Sequence, residues 1–199
     1  MRTLINVVKT VVLFTLIITT IVLLSCNEPG KNVEFRSNLP EVKNAPTFLG
    51  ENYDGKRFQS SSLKGSVWIA SFMFTSCQGV CPVMNGHLEN IQKQYSDSNV
   101  KFVSISVDPE VDTREVLKTY ASSYHANPSS WFMVRMNIES VRNLAVKGFL
   151  VSDPIEPSAH SPRFILVDKR GVIRGYYDSM DSAKVTELRT SVSSLLKEN

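Results

Sequence analysis

Cys77 and Cys81 stand four residues apart in the stretch Phe74-Thr75-Ser76-Cys77-Gln78-Gly79-Val80-Cys81-Pro82. Two thiols this close support one of two chemistries. They exchange electrons as a dithiol–disulfide pair, or they hold a soft metal ion as thiolates. An apolar run, Val67 to Phe74, leads into them, and Pro82 follows where a first helical residue belongs. The pair is therefore expected at the C-terminal end of a buried strand and the start of a helix. Free backbone N–H groups and the positive end of the helix dipole favour a thiolate there. Cys81 is read as lying just before the helix and Cys77 on the turn above it, with Gly79 allowing an unusual backbone angle between them. A purely structural disulfide fits poorly, because so small a ring recovers little loop entropy.

A metal asks for more donors than two thiols. His160 lies in a loop from Val151 to Pro162 that contains three prolines. Its neighbours Ser158, Ala159, Ser161 and Pro162 are small or rigid. Two thiolates and an imidazole would make a compact soft site suited to Cu(I) and usable by Cu(II). From the residues alone, His160 reads either as a third ligand or as a solvent-exposed loop side chain. His87, six residues past Cys81, points elsewhere on the helix. His125 is read as a helix-terminal cation and Met84 as core.

The compartment comes from the N-terminus. Arg2 and Lys9 precede a 14-residue apolar run, Val11 to Leu24, which ends at Ser25-Cys26. That is the form of a secretory signal and is short for a membrane span of about 20 residues. Leu23-Leu24-Ser25-Cys26 looks like a bacterial lipobox, so residues 1–25 are expected to be removed and Cys26 lipidated. The domain would then be exported and held to the cell membrane by acyl chains, on the extracytoplasmic (periplasmic) side. Lipidation also settles the cysteine arithmetic: of three cysteines, one is consumed and an oxidisable pair remains.

The chain has 22 basic and 19 acidic residues, a net charge of +3. No dense basic patch appears, and nucleic-acid binding is excluded on that ground. Residues 26–45 are polar, carry Pro29, Gly30 and Pro40, and read as a tether. Residues 46–199 read as one domain. A hairpin turns at Asp54-Gly55. Strands follow over Val67–Phe74, Lys101–Val107 and Trp131–Met136, alternating with helices over 82–95, from Thr113, and over 139–147. A hairpin pairs Phe164–Val167 with Val172–Tyr177 across Asp168-Lys169-Arg170-Gly171, and a last helix covers 183–197. Alternation of this kind implies right-handed crossovers and a mostly parallel centre. The plan is an α/β, thioredoxin-like sheet flanked by helices, with an extra N-terminal β-hairpin. Function in such sheets gathers at the carboxyl ends of the strands.

Three separated motifs resemble the Sco (SenC) family of copper-handling, thioredoxin-fold proteins. They are Phe74-Thr75-Ser76-Cys77 with Val80-Cys81-Pro82; Ser104 to Glu110 with Asp112-Thr113; and His160 to Asp168 through Gly171, with Arg174 to Tyr177. The resemblance implies that Cys77, Cys81 and His160 are copper ligands. It also implies that the Asp108 segment lies near the metal loop, where a carboxylate influences the thiols. The chain departs from many relatives in having Gln78-Gly79 after the first cysteine. The implied function is metallation of the dinuclear copper centre of a haem–copper (cytochrome c) oxidase. The partners would be the copper-centre subunit and either another copper chaperone or a thioredoxin-like reductant. The alternative is a thiol–disulfide reductase that keeps the oxidase cysteines reduced, in which Cys77 and Cys81 are the redox-active pair. A peroxiredoxin-type peroxidase shares the N-terminal plan but lacks a helper beside the thiol.

Overall fold

A computed structural model describes residues 35–151 and 161–198. Cys26 with the expected signal, and His160, lie outside the described residues. The elements are strands β1 (Lys43–Asn44), β2 (Leu49–Asn52), β3 (Arg57–Gln59), β4 (Val67–Met73) and β5 (Val100–Ser106), with helix α1 (Val80–Gln94) between the last two. Helix α2 (Arg114–Ser123), strand β6 (Trp131–Arg135), helix α3 (Ile138–Asn143), strands β7 (Arg163–Val167) and β8 (Val172–Asp178), and helix α4 (Ser182–Leu196) follow.

The strands form one eight-stranded sheet in the order β1-β8-β7-β4-β5-β6-β2-β3. Its centre, β4-β5-β6, is parallel, and β7 and β8 join it antiparallel. This is the thioredoxin-like arrangement expected from the alternation of elements. β4 is central because it offers apolar side chains to both faces. Val67, Ile69 and Met73 pack with α1, α2 and α4; Trp68, Ala70 and Phe72 pack with Val141, Leu144 and Phe149 on the other side. A strand of period two that is apolar in both phases is stable only when covered twice.

Local signals set the boundaries. Gly55 takes φ +81° in the β2–β3 turn, a conformation open to glycine at little cost. Thr113 and Asn137 cap α2 and α3 by accepting from the N–H of Val116 and of Ser140. The expected helix over 139–147 instead closes as α3 followed by a wider π-type turn, Leu144–Gly148.

One stretch differs from the sequence reading. The second half of the expected tether, residues 35–45, is bound to the sheet. β1 pairs with β8 through Lys43 opposite Ile173 and Asn44 opposite Val172. Just upstream, Arg174 donates to the carbonyls of Pro40 and Leu39 and to the Ser37 hydroxyl. A polar segment docks here because a buried guanidinium needs acceptors, and this backbone supplies them.

Candidate functional site

β4 delivers the chain to the thiol loop, and α1 takes it away. α1 begins at Val80, capped by Gly79, so Cys81 sits inside the first helical turn rather than before it. Pro82 is then the third helical residue, still within the first turn, where a missing N–H costs nothing. Gly79 has φ −103° and ψ −100°, and a Cβ there would meet no atom within 4 Å. The left-handed freedom of glycine is not what this position uses.

Both cysteines are free thiols. Cys81 is fully buried against Met84 and Leu88, whereas Cys77 is half-exposed at the edge of the same cluster. The Cys81 N–H donates to Cys77 Sγ at 3.5 Å, so the helix terminus points a donor at the outer sulfur. This geometry splits the two titrations. Partial burial pushes the Cys77 thiol up. The N–H and S–H of Cys81 and the N–H groups of Gly79 and Val80 more than offset that, leaving it below the ordinary thiol value. Burial pushes the Cys81 thiol up to about 12, against the Phe74 N–H, with the charges of Cys77 and Asp112 adding to the rise. Cys77 is therefore the outer thiol that ionises first, an assignment the sequence left open.

The sequence places Asp112 in the second family motif without giving it a role. The expectation fell on Asp108, four residues earlier, as the carboxylate near the loop. Asp108 uses its backbone: its N–H donates to Ser106 Oγ at 3.1 Å, and its carbonyl accepts from the Asp112 N–H at 2.9 Å. Asp112 is the buried one, with no exposed surface, and its carboxylate accepts from the Thr75 N–H at 3.1 Å, the Thr75 hydroxyl and the Ser106 hydroxyl. The usable signal was the Ser106-x-Asp108-x₃-Asp112 spacing at a strand end, which is the form of a self-bonded turn.

Of the other sequence candidates, Met84 is core, with 1% of its surface exposed. His87 is half-buried on α1, and burial together with Arg189 lowers its pKa. His125 follows the end of α2, has φ 48°, and pairs its Nδ1 with Glu89 at 2.9 Å. Neither histidine shares the thiol site. Among the described residues no group of three or more His, Cys, Asp or Glu is arranged to hold a metal ion. Arg163, the first residue of β7 and three past His160, lies at the thiol end of the sheet. The pairing of Ala70 with Ile165 and of Trp68 with Val167 sets that direction.

A thioredoxin-like α/β domain carrying a split-titration dithiol at a strand-to-helix junction defines a class of thiol-based redox and metal-handling proteins. Comparison with known proteins narrows it. The SCO1/SenC family model matches residues 38–195, and the chain belongs to the SCO1/SenC family. It is 32% identical over 154 residues to a SCO1 protein homolog of Bacillus subtilis, covering 74% of this chain and 80% of that one. The crystal structure of a SCO1/SenC family lipoprotein from Bacillus anthracis superposes with a TM-score of 0.69 at 32% identity, covering 77% of this chain and 95% of that one. The structure of BsSco, in which a disulfide switch was identified, superposes with a TM-score of 0.70 at 28% identity, covering 81% and 98%. BsSco is described as a member of the Sco family of cytochrome c oxidase assembly proteins.

Proposed function

We propose that this protein is a membrane-tethered copper chaperone that helps metallate the dinuclear copper centre of a haem–copper oxidase. Copper is the cargo, held by Cys77, Cys81 and His160. The observation that carries the reading is the pair of free thiols at the N-terminus of α1, in a chain whose family includes oxidase assembly proteins. Two thiolates with an imidazole suit Cu(I) and also serve Cu(II). The direction of β7 supports the choice of His160, because that strand starts at the thiol end of the sheet. Release goes by ligand exchange, with thiolates of the acceptor's copper-centre subunit displacing the donor's one at a time. Loading requires both thiols reduced, so a Cys77–Cys81 disulfide is the metal-free resting form. A thioredoxin-like reductant would restore the dithiol by thiol–disulfide exchange, itself leaving as a disulfide, and another copper chaperone would supply the metal.

Lipidation of Cys26 and export belong to the same proposal. They rest on the apolar run and lipobox of residues 11–26 and on the relative described as a lipoprotein. Mass analysis of the membrane-extracted chain tests this: loss of residues 1–25 with diacylglycerol on Cys26 is the expected result.

The decisive titration adds Cu(I) and Cu(II) to the reduced protein, wild type against His160→Ala. The variant should bind copper at least roughly tenfold more weakly, equivalent to about 1.4 kcal/mol, with a changed Cu(II)–thiolate spectrum. Unchanged affinity and spectrum would remove His160 from the ligand set.

A second reading is favoured by the asymmetry of the thiols. An outer, easily ionised Cys77 backed by a buried Cys81 is the arrangement of a dithiol reductant. In that reaction Cys77 Sγ attacks a substrate disulfide and expels one substrate thiolate. Cys81 Sγ, losing its proton, then displaces the second, and the protein is left oxidised. Reduction of the oxidase cysteines at full rate by His160→Ala would favour this reading over cargo delivery.

A further inference from the structure

The proposed function gives Asp112 no part in holding or passing the cargo, yet its carboxylate is the most completely enclosed acidic group at the thiol end. A carboxylate is costly to bury unless its oxygens are bonded. Here both are, and the donors identify what it serves. Oδ1 accepts from the Thr75 N–H at 3.1 Å and from the Thr75 hydroxyl, while Oδ2 accepts from the Ser106 hydroxyl and more distantly, at 3.3 Å, from the Thr75 N–H. Ser106 is the last residue of β5, and Thr75 stands two residues before Cys77. Among the described residues no Lys or Arg forms an ion pair with Asp112.

Beyond the N–H groups that face Cys77 Sγ, the loop it grips lies largely at the surface. Ser76, Gln78 and Gly79 are exposed, and the Cys77 N–H reaches the Phe74 carbonyl at 3.3 Å, a long bond. The turn that carries Asp112 is itself stiff: the Asp112 N–H bonds the Asp108 carbonyl, the Asp108 N–H bonds Ser106 Oγ, and the Val107 N–H bonds the Met73 carbonyl. The carboxylate thus transfers the rigidity of the β4–β5 pair to the first residues of the thiol loop.

We infer that Asp112 is a positioning residue for the dithiol, fixing Thr75 so that Cys77 is held over the N-terminus of α1, within reach of Cys81. The geometry stands without any metal; the copper assay below rests on the proposed function, and the redox assay does not. Freeing Thr75 lets the reduced loop sample more conformations, and disulfide formation must then remove that freedom. The couple consequently becomes more oxidising.

The test uses the full chain in detergent with Asp112→Ala, Asp112→Asn and Thr75→Val. Two quantities are read: the Cys77–Cys81 equilibrium against glutathione, and the affinity for Cu(I) against a chelator together with the Cu(II)–thiolate absorption. Asp112→Ala should shift the glutathione equilibrium about tenfold toward the dithiol, close to 30 mV, and change the absorption. Asp112→Asn keeps an acceptor for the Thr75 N–H and should recover most of both. Thr75→Val loses the hydroxyl bond alone and should shift the equilibrium roughly threefold. If Asp112→Ala does not fold, Thr75→Val decides. Wild-type potential and spectrum in Asp112→Ala, or in Thr75→Val where only that variant folds, overturn the inference. A wild type that binds no copper overturns the proposed function instead and leaves the redox result standing.

Discussion

At the end of the sheet away from the thiols, Arg174 places every N–H of its guanidinium on an acceptor inside the protein. Nε donates to the Pro40 carbonyl; Nη1 to Asp168 at 2.9 Å and Glu198 at 3.1 Å; Nη2 to Ser37 Oγ and the Leu39 carbonyl. Its side chain is 2% exposed, as is that of Asp168. At the thiol end, one strand length and about 20 Å away, the buried carboxylate of Asp112 takes hydrogen bonds from neutral donors, and Cys77 is left half-exposed. The Arg174 end joins the N-terminal segment, the β7–β8 turn and the C-terminus into one cluster in which each charge is answered. The thiol end holds its reactive atoms in place without neutralising them. Buried ionic bonding is concentrated where nothing has to change partner, and the dithiol lies where exchange stays possible.

The sharpest challenge to this contrast is Arg174→Met. It leaves Asp168 and Glu198 without their buried partner and should cost about 3–5 kcal/mol in denaturant unfolding. Copper binding per folded molecule should be unchanged. Both carboxylates also carry a pH signature. Burial pushes Asp168 up, but the Val172 N–H, Arg174 and Arg170 hold it below the ordinary carboxylate range. Burial likewise pushes Glu198 up, and Ser37 and Arg174 outweigh it. Groups with depressed folded values stabilise fully above their unfolded pKa and lose that contribution as pH falls through the folded one. The acid limb of the stability curve should therefore flatten in Arg174→Met. A variant as stable as wild type would show that the Arg174 end carries no special share of the stability.

A smaller effect is expected in the titration of the thiols. Alkylation of the reduced protein should be confined to Cys77 at neutral pH, with a midpoint below the ordinary thiol value of 9.0, since its ionised form is the stabilised one. Cys81 should stay unreactive until the pH nears 12 or the domain unfolds. Mass spectrometry after a short pulse at each pH reads both sites; equal labelling at pH 7 would erase the asymmetry between inner and outer thiol.

The smallest effect probes stability at the thiol end itself. Thr113 caps α2 immediately after Asp112, its side chain accepting from the Val116 N–H at 3.3 Å. Thr113→Ala should cost about 1 kcal/mol. A cost matching that of Arg174→Met would mean that the two ends share the stability evenly.

Much of this was readable in the chain. The run Val67–Met73, apolar in both phases, required a strand covered on two faces, and Asp54-Gly55 required a tight turn. The cysteine spacing and the apolar strand before it located the site. Three features were not readable. Lys43–Asn44 is too short and polar to announce a strand, and it becomes one because β8 offers an open edge and Arg174, 130 residues later in sequence, needs acceptors. Asp108 and Asp112 are the same residue type in the same turn. Which carboxylate turns inward depends on where Thr75 and Ser106 lie once β4 and β5 are paired. The order of the two thiols was open because their pKa values respond to burial and to N–H direction, neither of which is a property of spacing.

The amino-acid order alone dictated the alternating strands and helices, the turns, the family and the presence of a dithiol at a strand-to-helix junction, because periodicity, propensity and spacing act over a few residues. The tertiary structure decided which thiol is buried, which aspartate grips the loop and where the polar segment before residue 46 docks. Those outcomes hinge on desolvation and on hydrogen-bond partners that come from distant parts of the chain and meet only when the sheet has formed.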